Sequence, residues 1–269
     1  LYKICANENI YPSKEVKEGK IEAFASVDGY FQIDVDRLDE INSIGDIMIA
    51  TRHSGTAVKA GDKLAGMRVI PLIVEDEKLK EAEKIFNGQP ILKVTPYKLK
   101  KAGVITTGSE VYKGIIKDTF TPVIEEKLSG FGIQMTEHIV VDDGMENIVN
   151  AINEIKTKDI DMILCTGGMS VDPDDNTPGA IKKSGAEIVT YGAPVLPGAM
   201  FLLGYYENGM PVMGLPGCVM YAGATVFDLV LPKIAAGIKV TKKDIVKMGN
   251  GGLCLGCGEC TYPICPFGK

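Results

Sequence analysis

Two segments of the chain combine residue types in ways that could do chemistry at a phosphate. In the first, Thr106-Thr107-Gly108-Ser109-Glu110-Val111 sets hydroxyls, a glycine and a carboxylate side by side, and a further loop ends in Asp118-Thr119, both good helix N-caps. In the second, Thr166-Gly167-Gly168-Met169-Ser170-Val171 runs through Asp172, Asp174 and Asp175 to Thr177-Pro178. Paired glycines let backbone approach a ligand closely, and the free N–H groups of a following helix start can hold a phosphate without net positive charge. Three such carboxylates would repel a bare phosphate. Together they make sense as oxygen ligands of magnesium, or with one shifted carboxyl working as acid or base. An acidic surface turn opening a helix at Thr177-Pro178 explains the helix start but not the glycine pair.

A third segment is the C-terminal tail. Cys5, Cys165 and Cys218 are scattered, whereas Cys254, Cys257, Cys260 and Cys265 crowd the end of the chain. Disulfide frameworks belong to short secreted domains, so this clustering points to metal. Two CxxC steps followed by a terminal Cys-Pro resemble the iron–sulfur run of bacterial ferredoxins, with the last gap one residue longer, and a four-cysteine zinc site fits almost as well. The tail has few apolar residues, so the metal is expected to be what ties it down. Cys218 reads as a small buried hydrophobe and His53 as a solvated loop residue.

These segments need elements to position them. From about Lys98 the pattern alternates: strand Ala102 to Thr106, helix Phe120 to Phe131, strand Ile133 to Val141, helix Met145 to Lys156, strand Met162 to Thr166. Such alternation predicts a three-layer, doubly wound α/β/α domain on a mostly parallel sheet. The glycine and acidic motifs fall at strand carboxyl ends, where such sheets bind ligands. Residues 1–97 read instead as a smaller β-rich mixed domain. It is expected to hold a hairpin of Ala23 to Ser26 and Tyr30 to Val35 around Asp28-Gly29, strands at Ile47 to Thr51 and Met67 to Val74, and a helix over Glu75 to Phe86. The expected organisation is thus 1–97, 98–245 and a Cys-rich tail over 246–269.

Composition narrows the function classes. The chain has 269 residues, 45% hydrophobic and 24% charged, enough for a real core. A net charge of -6 without a Lys/Arg block argues against a nucleic-acid surface. Apolar runs such as Val195 to Tyr206 are broken by proline and glycine and are too short to span a membrane. No secretory signal is visible, and a cytoplasmic protein is expected.

Taken together, Thr107-Gly108-Ser109-Glu110, Asp118, Thr166-Gly167-Gly168-Met169-Ser170-Val171 through Asp175, and Gly214-Leu215-Pro216-Gly217 resemble the successive signatures of the molybdopterin-binding fold, from about Lys98 to Lys243. That fold is shared by molybdopterin adenylyltransferase, molybdopterin molybdotransferase, gephyrin and the competence-damage proteins. The resemblance implies that Asp118 and Asp175 are catalytic carboxylates binding Mg2+ and assisting transfer at the pterin phosphate. It implies that Thr107, Gly108, Ser109, Glu110, Gly167, Gly168, Met169 and Ser170 surround molybdopterin, the molybdenum cofactor or a related nucleotide. Pro197-Gly198 and Pro216-Gly217 match the two Pro-Gly turns of the same pocket. It further implies a homo-oligomer working with molybdoenzymes.

The departures are specific. The adenylyltransferases place an arginine where this chain has Asp174. Gly168-Met169-Ser170-Val171 is closer to the molybdotransferase branch, yet Ala199-Met200 and Cys218-Val219 follow the Pro-Gly turns where that branch has Lys-Pro and Asn-Pro. A Cys218 thiolate would be placed to meet a molybdenum–dithiolene ligand. The readings that remain open are a transferase acting at the pterin phosphate or inserting molybdenum, a non-catalytic cofactor-binding or sensing module, and a nucleotide pyrophosphatase like the competence-damage relatives.

Overall fold

The computed structural model describes residues 1–170, 172 and 175–269, the Ile4 side chain excepted. They divide into two compact units, Leu1–Tyr97 and Lys98–Lys269.

The first unit runs α1 (Tyr2–Cys5), β1 (Ile10–Pro12), β2 (Lys20–Ala25), β3 (Gly29–Ile33), α2 (Val35–Ser43), β4 (Ile47–Thr51), β5 (Thr56–Val58), β6 (Lys63–Val69), α3 (Asp76–Phe86) and β7 (Leu92–Pro96). Its strands form two antiparallel sheets, β1-β2-β6-β4 and β5-β3-β7. Their inner faces bury Phe31, Ile41, Leu64, Met67, Ile91 and Leu92. The expected hairpin does not form: β2 and β3 lie in different sheets. Gly29 is needed for close approach rather than for a turn. A Cβ there would stand 2.5 Å from the Thr95 carbonyl oxygen on the paired strand β7. β6 stops at Val69, ahead of Pro71, which cannot donate to a ladder.

The second unit continues with β8 (Lys101–Thr107), α4 (Ser109–Tyr112), α5 (Phe120–Ser129), β9 (Gln134–Val141), α6 (Met145–Ile155), β10 (Met162–Thr166), α7 (Thr177–Lys183), β11 (Glu187–Tyr191), β12 (Leu202–Tyr205), β13 (Pro211–Leu215), a 3-10 turn at Gly217–Met220, α8 (Val226–Ala235) and α9 (Lys242–Lys247). Its sheet has the order β11-β12-β13-β10-β8-β9. The pairs β13/β10, β10/β8 and β8/β9 are parallel; β11/β12 and β12/β13 are antiparallel. This is the mixed, mostly parallel α/β sheet that the strand–helix alternation predicts. β10 is buried at every position and β8 at all but its first, the composition of central strands covered on both faces. α6 turns Ile148, Val149, Ile152 and Ile155 onto the sheet, a 3.6-residue stripe.

Register decides where the loops leave. Thr166 pairs with both Thr106 and Leu215, and Thr107 pairs with Val141. The segments after β8, β9, β10 and β13 therefore emerge along one edge. β12 begins at that edge too, since Leu202 pairs with Gly214, so the 192–201 connection joins them.

The tail packs within the second unit. Leu196 and Leu253 form a parallel bridge, with the Leu196 N–H donating to Gly252 O and the Cys254 N–H to Leu196 O, both at 2.8 Å. Phe267 is 3% exposed and meets the Tyr262 ring edge-on, and the Tyr262 hydroxyl donates to the Asp228 carbonyl of α8. The expectation that only a metal could order this segment is corrected: two aromatics and a backbone bridge anchor it. Among the described residues, no helix is long and apolar enough to cross a membrane.

Candidate functional site at the strand carboxyl ends

The β10 loop is built on contacts that only glycine allows. Gly167 and Gly168 both have positive φ, 83° and 53°. A Cβ on Gly167 would stand 2.2 Å from the Thr107 carbonyl oxygen, and one on Gly168 would stand 3.0 Å from Thr177 Oγ1 and 3.6 Å from Asp175 Oδ1. The loop is thereby pressed onto the end of β8. Thr177, fully buried, fastens it by donating to Gly167 O at 2.8 Å. Asp175 arrives at this cluster on the turn that opens α7. Its Oδ2 is buried and, among the described residues, has no hydrogen-bond partner; Thr166 Oγ1, at the end of β10, is in the same condition. A buried, unpaired carboxylate oxygen is costly and calls for water, an ion or a ligand. Asp172 is exposed, while Asp174 and Val171 lie outside the described residues.

Asp118 is placed differently. Successive side chains of a strand point to opposite faces. Thr107 faces Gly168 and Thr177, whereas Thr106 faces Asp118, Thr121 and His138. Asp118 Oδ1 accepts from the N–H groups of Phe120 (2.8 Å) and Thr121 (3.0 Å), which is helix capping. Its Oδ2 accepts from the hydroxyls of Thr121 (2.5 Å) and Thr106 (3.2 Å). Burial pushes this carboxyl up, but the hydrogen bonds from Thr121, Phe120 and Thr106 outweigh it and hold it below the ordinary carboxylate range. Asp118 and Asp175 thus flank the end of β8 from opposite faces, one with both oxygens engaged and one with an oxygen unpaired.

The remaining residues sort by what they touch. The Ser109 hydroxyl donates to Asp142 and to Asp143, and its N–H donates to Asp143 Oδ2 at 2.8 Å. Asn176, next to Asp175, donates to Asp143 O, tying the β8, β9 and β10 loops together. Asp142 and Asp143 were not singled out from the sequence; an Asp-Asp-Gly run directly after a strand was the available signal. Glu110 is exposed. Met169 is 4% exposed and packs on Gly214, where a Cβ would be 2.5 Å from its sulfur. Its side chain belongs to the core, leaving only its backbone to the loop. Ser170 offers its carbonyl to the Tyr191 hydroxyl at 3.1 Å.

Pro216 is buried and Gly217 exposed, opening the turn that brings Met220 to Thr119 at 3.1 Å. Gly198 is held against Val226, with 2.6 Å between its virtual Cβ and Val226 Cγ1. Burial raises the Cys218 thiol above its ordinary value, against its own backbone N–H and with a push from Asp228. Among the described residues, no three His, Cys, Asp or Glu side chains are grouped so as to hold a metal ion.

Comparison with known proteins accords with this geometry. The family model described as "probable molybdopterin binding domain" matches residues 103–236. A CinA-like protein of Pseudothermotoga lettingae is 41% identical over 86 residues, 32% of this chain and 21% of that protein. A competence-damage inducible protein of Bacillus cereus is 35% identical over 95 residues, 35% of this chain and 23% of that one. The matches span less than a quarter of these relatives' length. Among solved structures, the molybdopterin biosynthesis enzyme MoaB of Thermus thermophilus aligns over 52% of this chain and 98% of its own at 20% identity, with a TM-score of 0.44. Residues 103–236, which carry the glycine loops, Asp118 and Asp175, belong to the molybdopterin-binding domain family.

Proposed function

We propose that the strand-end site binds the phosphate of molybdopterin, or of its adenylated or metallated form, and acts there with Mg2+ in phosphate transfer or molybdenum insertion. The observation that carries this reading is the Asp175 carboxyl, whose Oδ1 lies near Gly168 and whose buried Oδ2 has no partner among the described residues. Magnesium keeps several waters and is commonly held by one or two carboxylates plus substrate phosphate oxygens. A lone available carboxylate next to backbone that can approach a phosphate suits it, and Asp175 is the residue to hold the ion. Asp118 fixes the start of α5 and the β8 end, and so positions. Ser109 is oriented by Asp142 and Asp143, and Glu110 stands at the solvent side of the same loop. The exposed apolar side chains of Tyr112, Ile115 and Ile116 beside the site favour a homo-oligomer.

Incubating the full chain with molybdopterin, ATP, Mg2+ and molybdate, then identifying the pterin species formed, tests the reading. An adenylated or metallated product is expected; absence of pterin binding refutes it. A second reading, hydrolysis of a nucleotide pyrophosphate, is favoured by the CinA-like and competence-damage relatives. It requires hydrolysis of a nucleotide in the same assay without pterin.

A further inference from the structure

The four tail cysteines line one cavity of about 280 Å³ in the second unit. All four are free. Facing them are Pro197 and the run Ala222-Gly223-Ala224, so no bulky side chain of that run fills the space. The fit is close at Gly223, where a Cβ would stand 2.7 Å from Cys260 Sγ.

The scaffold around this cavity is held by groups other than the thiols. Cys254 is fixed by its own backbone bridge to Leu196, directly before Pro197. Beyond Cys260, Tyr262 hydrogen-bonds α8, and beyond Cys265 the Phe267 ring is buried while the Gly268 N–H donates to Gly251 O at 2.9 Å. Both ends of the cysteine run are therefore anchored, and all four cysteines lie on the wall of the space between them.

We propose that Cys254, Cys257, Cys260 and Cys265 ligate an iron–sulfur cluster in this cavity, seated against the Pro197 turn. Zinc needs all four sulfurs within about 2.3 Å of a single point. A polynuclear cluster accepts thiolates at separate irons and suits sulfurs set around a cavity wall. The CxxCxxC run and the final Cys-Pro favour the same occupant. On ligation each thiol gives up its proton and its sulfur binds iron, drawing the four side chains inward from the wall. This inference does not depend on what the strand-end site binds.

The test uses the full chain, produced in iron-replete cells and purified without oxygen. Iron and acid-labile sulfide in equal amounts are expected, with a broad brown absorbance that dithionite bleaches. Cys257→Ser and Cys260→Ser, both at exposed positions, should lose most of the iron while keeping the far-ultraviolet circular dichroism of the parent, and Cys218→Ser should keep its iron. Zinc without sulfide, or metal-free protein whose four tail thiols titrate freely, overturns the proposal. So does iron retained in both tail variants.

Discussion

Cys254 donates its backbone N–H to the carbonyl of Leu196, tying the first tail cysteine to the residue that precedes Pro197-Gly198. The tie depends on Gly252, where a Cβ would stand 2.4 Å from Met248 O and 2.6 Å from Pro194 O. Gly252→Val is expected to break the bridge and lower stability by about 1–3 kcal/mol. Hydrogen exchange should show the amides of Leu196 and Cys254 losing protection together. Continued protection of both would mean that the bridge is held some other way.

Gly167 and Gly217, each just past the carboxyl end of one of the paired strands β10 and β13, make a matched pair. Gly167 has a φ of 83° and faces the Thr107 carbonyl at 2.2 Å from a virtual Cβ, whereas among the described residues nothing lies within 4 Å of one on Gly217. Gly167→Ala should destabilise by about 1–3 kcal/mol through strain at this backbone conformation. Gly217→Ala should stay within about 0.5 kcal/mol of the parent. Denaturant titration of both reads the contrast, and equal losses would contradict the account of the β10 loop.

The capping role of Asp118 has a pH signature. Its carboxyl is held below the ordinary range in the folded chain, so its charged form adds stability that is fully present above the unfolded value of about 3.9 and lost as pH falls towards the folded one. Asp118→Ala should be less stable by about 0.5–2 kcal/mol at neutral pH, the usual cost of a lost cap. The gap between the two proteins should narrow only below about pH 4. A gap that closes near neutrality would contradict this account of the Asp118 cap.

What the sequence revealed follows from the range of the interactions involved. The apolar run Met162–Thr166 and the stripe of α6 are local patterns, and both elements form at the expected places. The β2 and β3 segments are also β-rich, but β2 pairs with β1 and β6 and β3 with β5 and β7, and a β-rich run does not encode its partner. In the candidate site, the glycine pair was legible because two adjacent glycines have few other uses. The engagement of Asp118 was not, because two of its neighbours, Thr106 and His138, are brought together only by the β8/β9 register. The tail misled for a related reason. Counting its apolar residues suggested that it could not order itself, but Phe267 and Tyr262 do so by packing on α8 and on each other.

Asp175 and Asp172 offer the sharpest separation between the carboxylate proposed to bind and a surface one. Both belong to the same acidic turn, where the Asp175 N–H donates to Asp172 O at 3.0 Å, a main-chain bond that neither side-chain substitution removes. Their side chains differ in environment: Asp172 is exposed, and Asp175 carries a buried Oδ2 without a partner among the described residues. If that oxygen holds Mg2+ against a phosphate, Asp175→Asn removes charge where the ion needs it and keeps the volume. Binding of molybdopterin in the presence of Mg2+ should weaken by at least about tenfold, about 1.4 kcal/mol. Thermal stability of the ligand-free chain should not fall, because the lost group is an uncompensated buried oxygen. Asp172→Asn should change neither quantity appreciably. Calorimetric titration with and without Mg2+ distinguishes the cases, and equal weakening by the two variants would remove Asp175 from the proposed site.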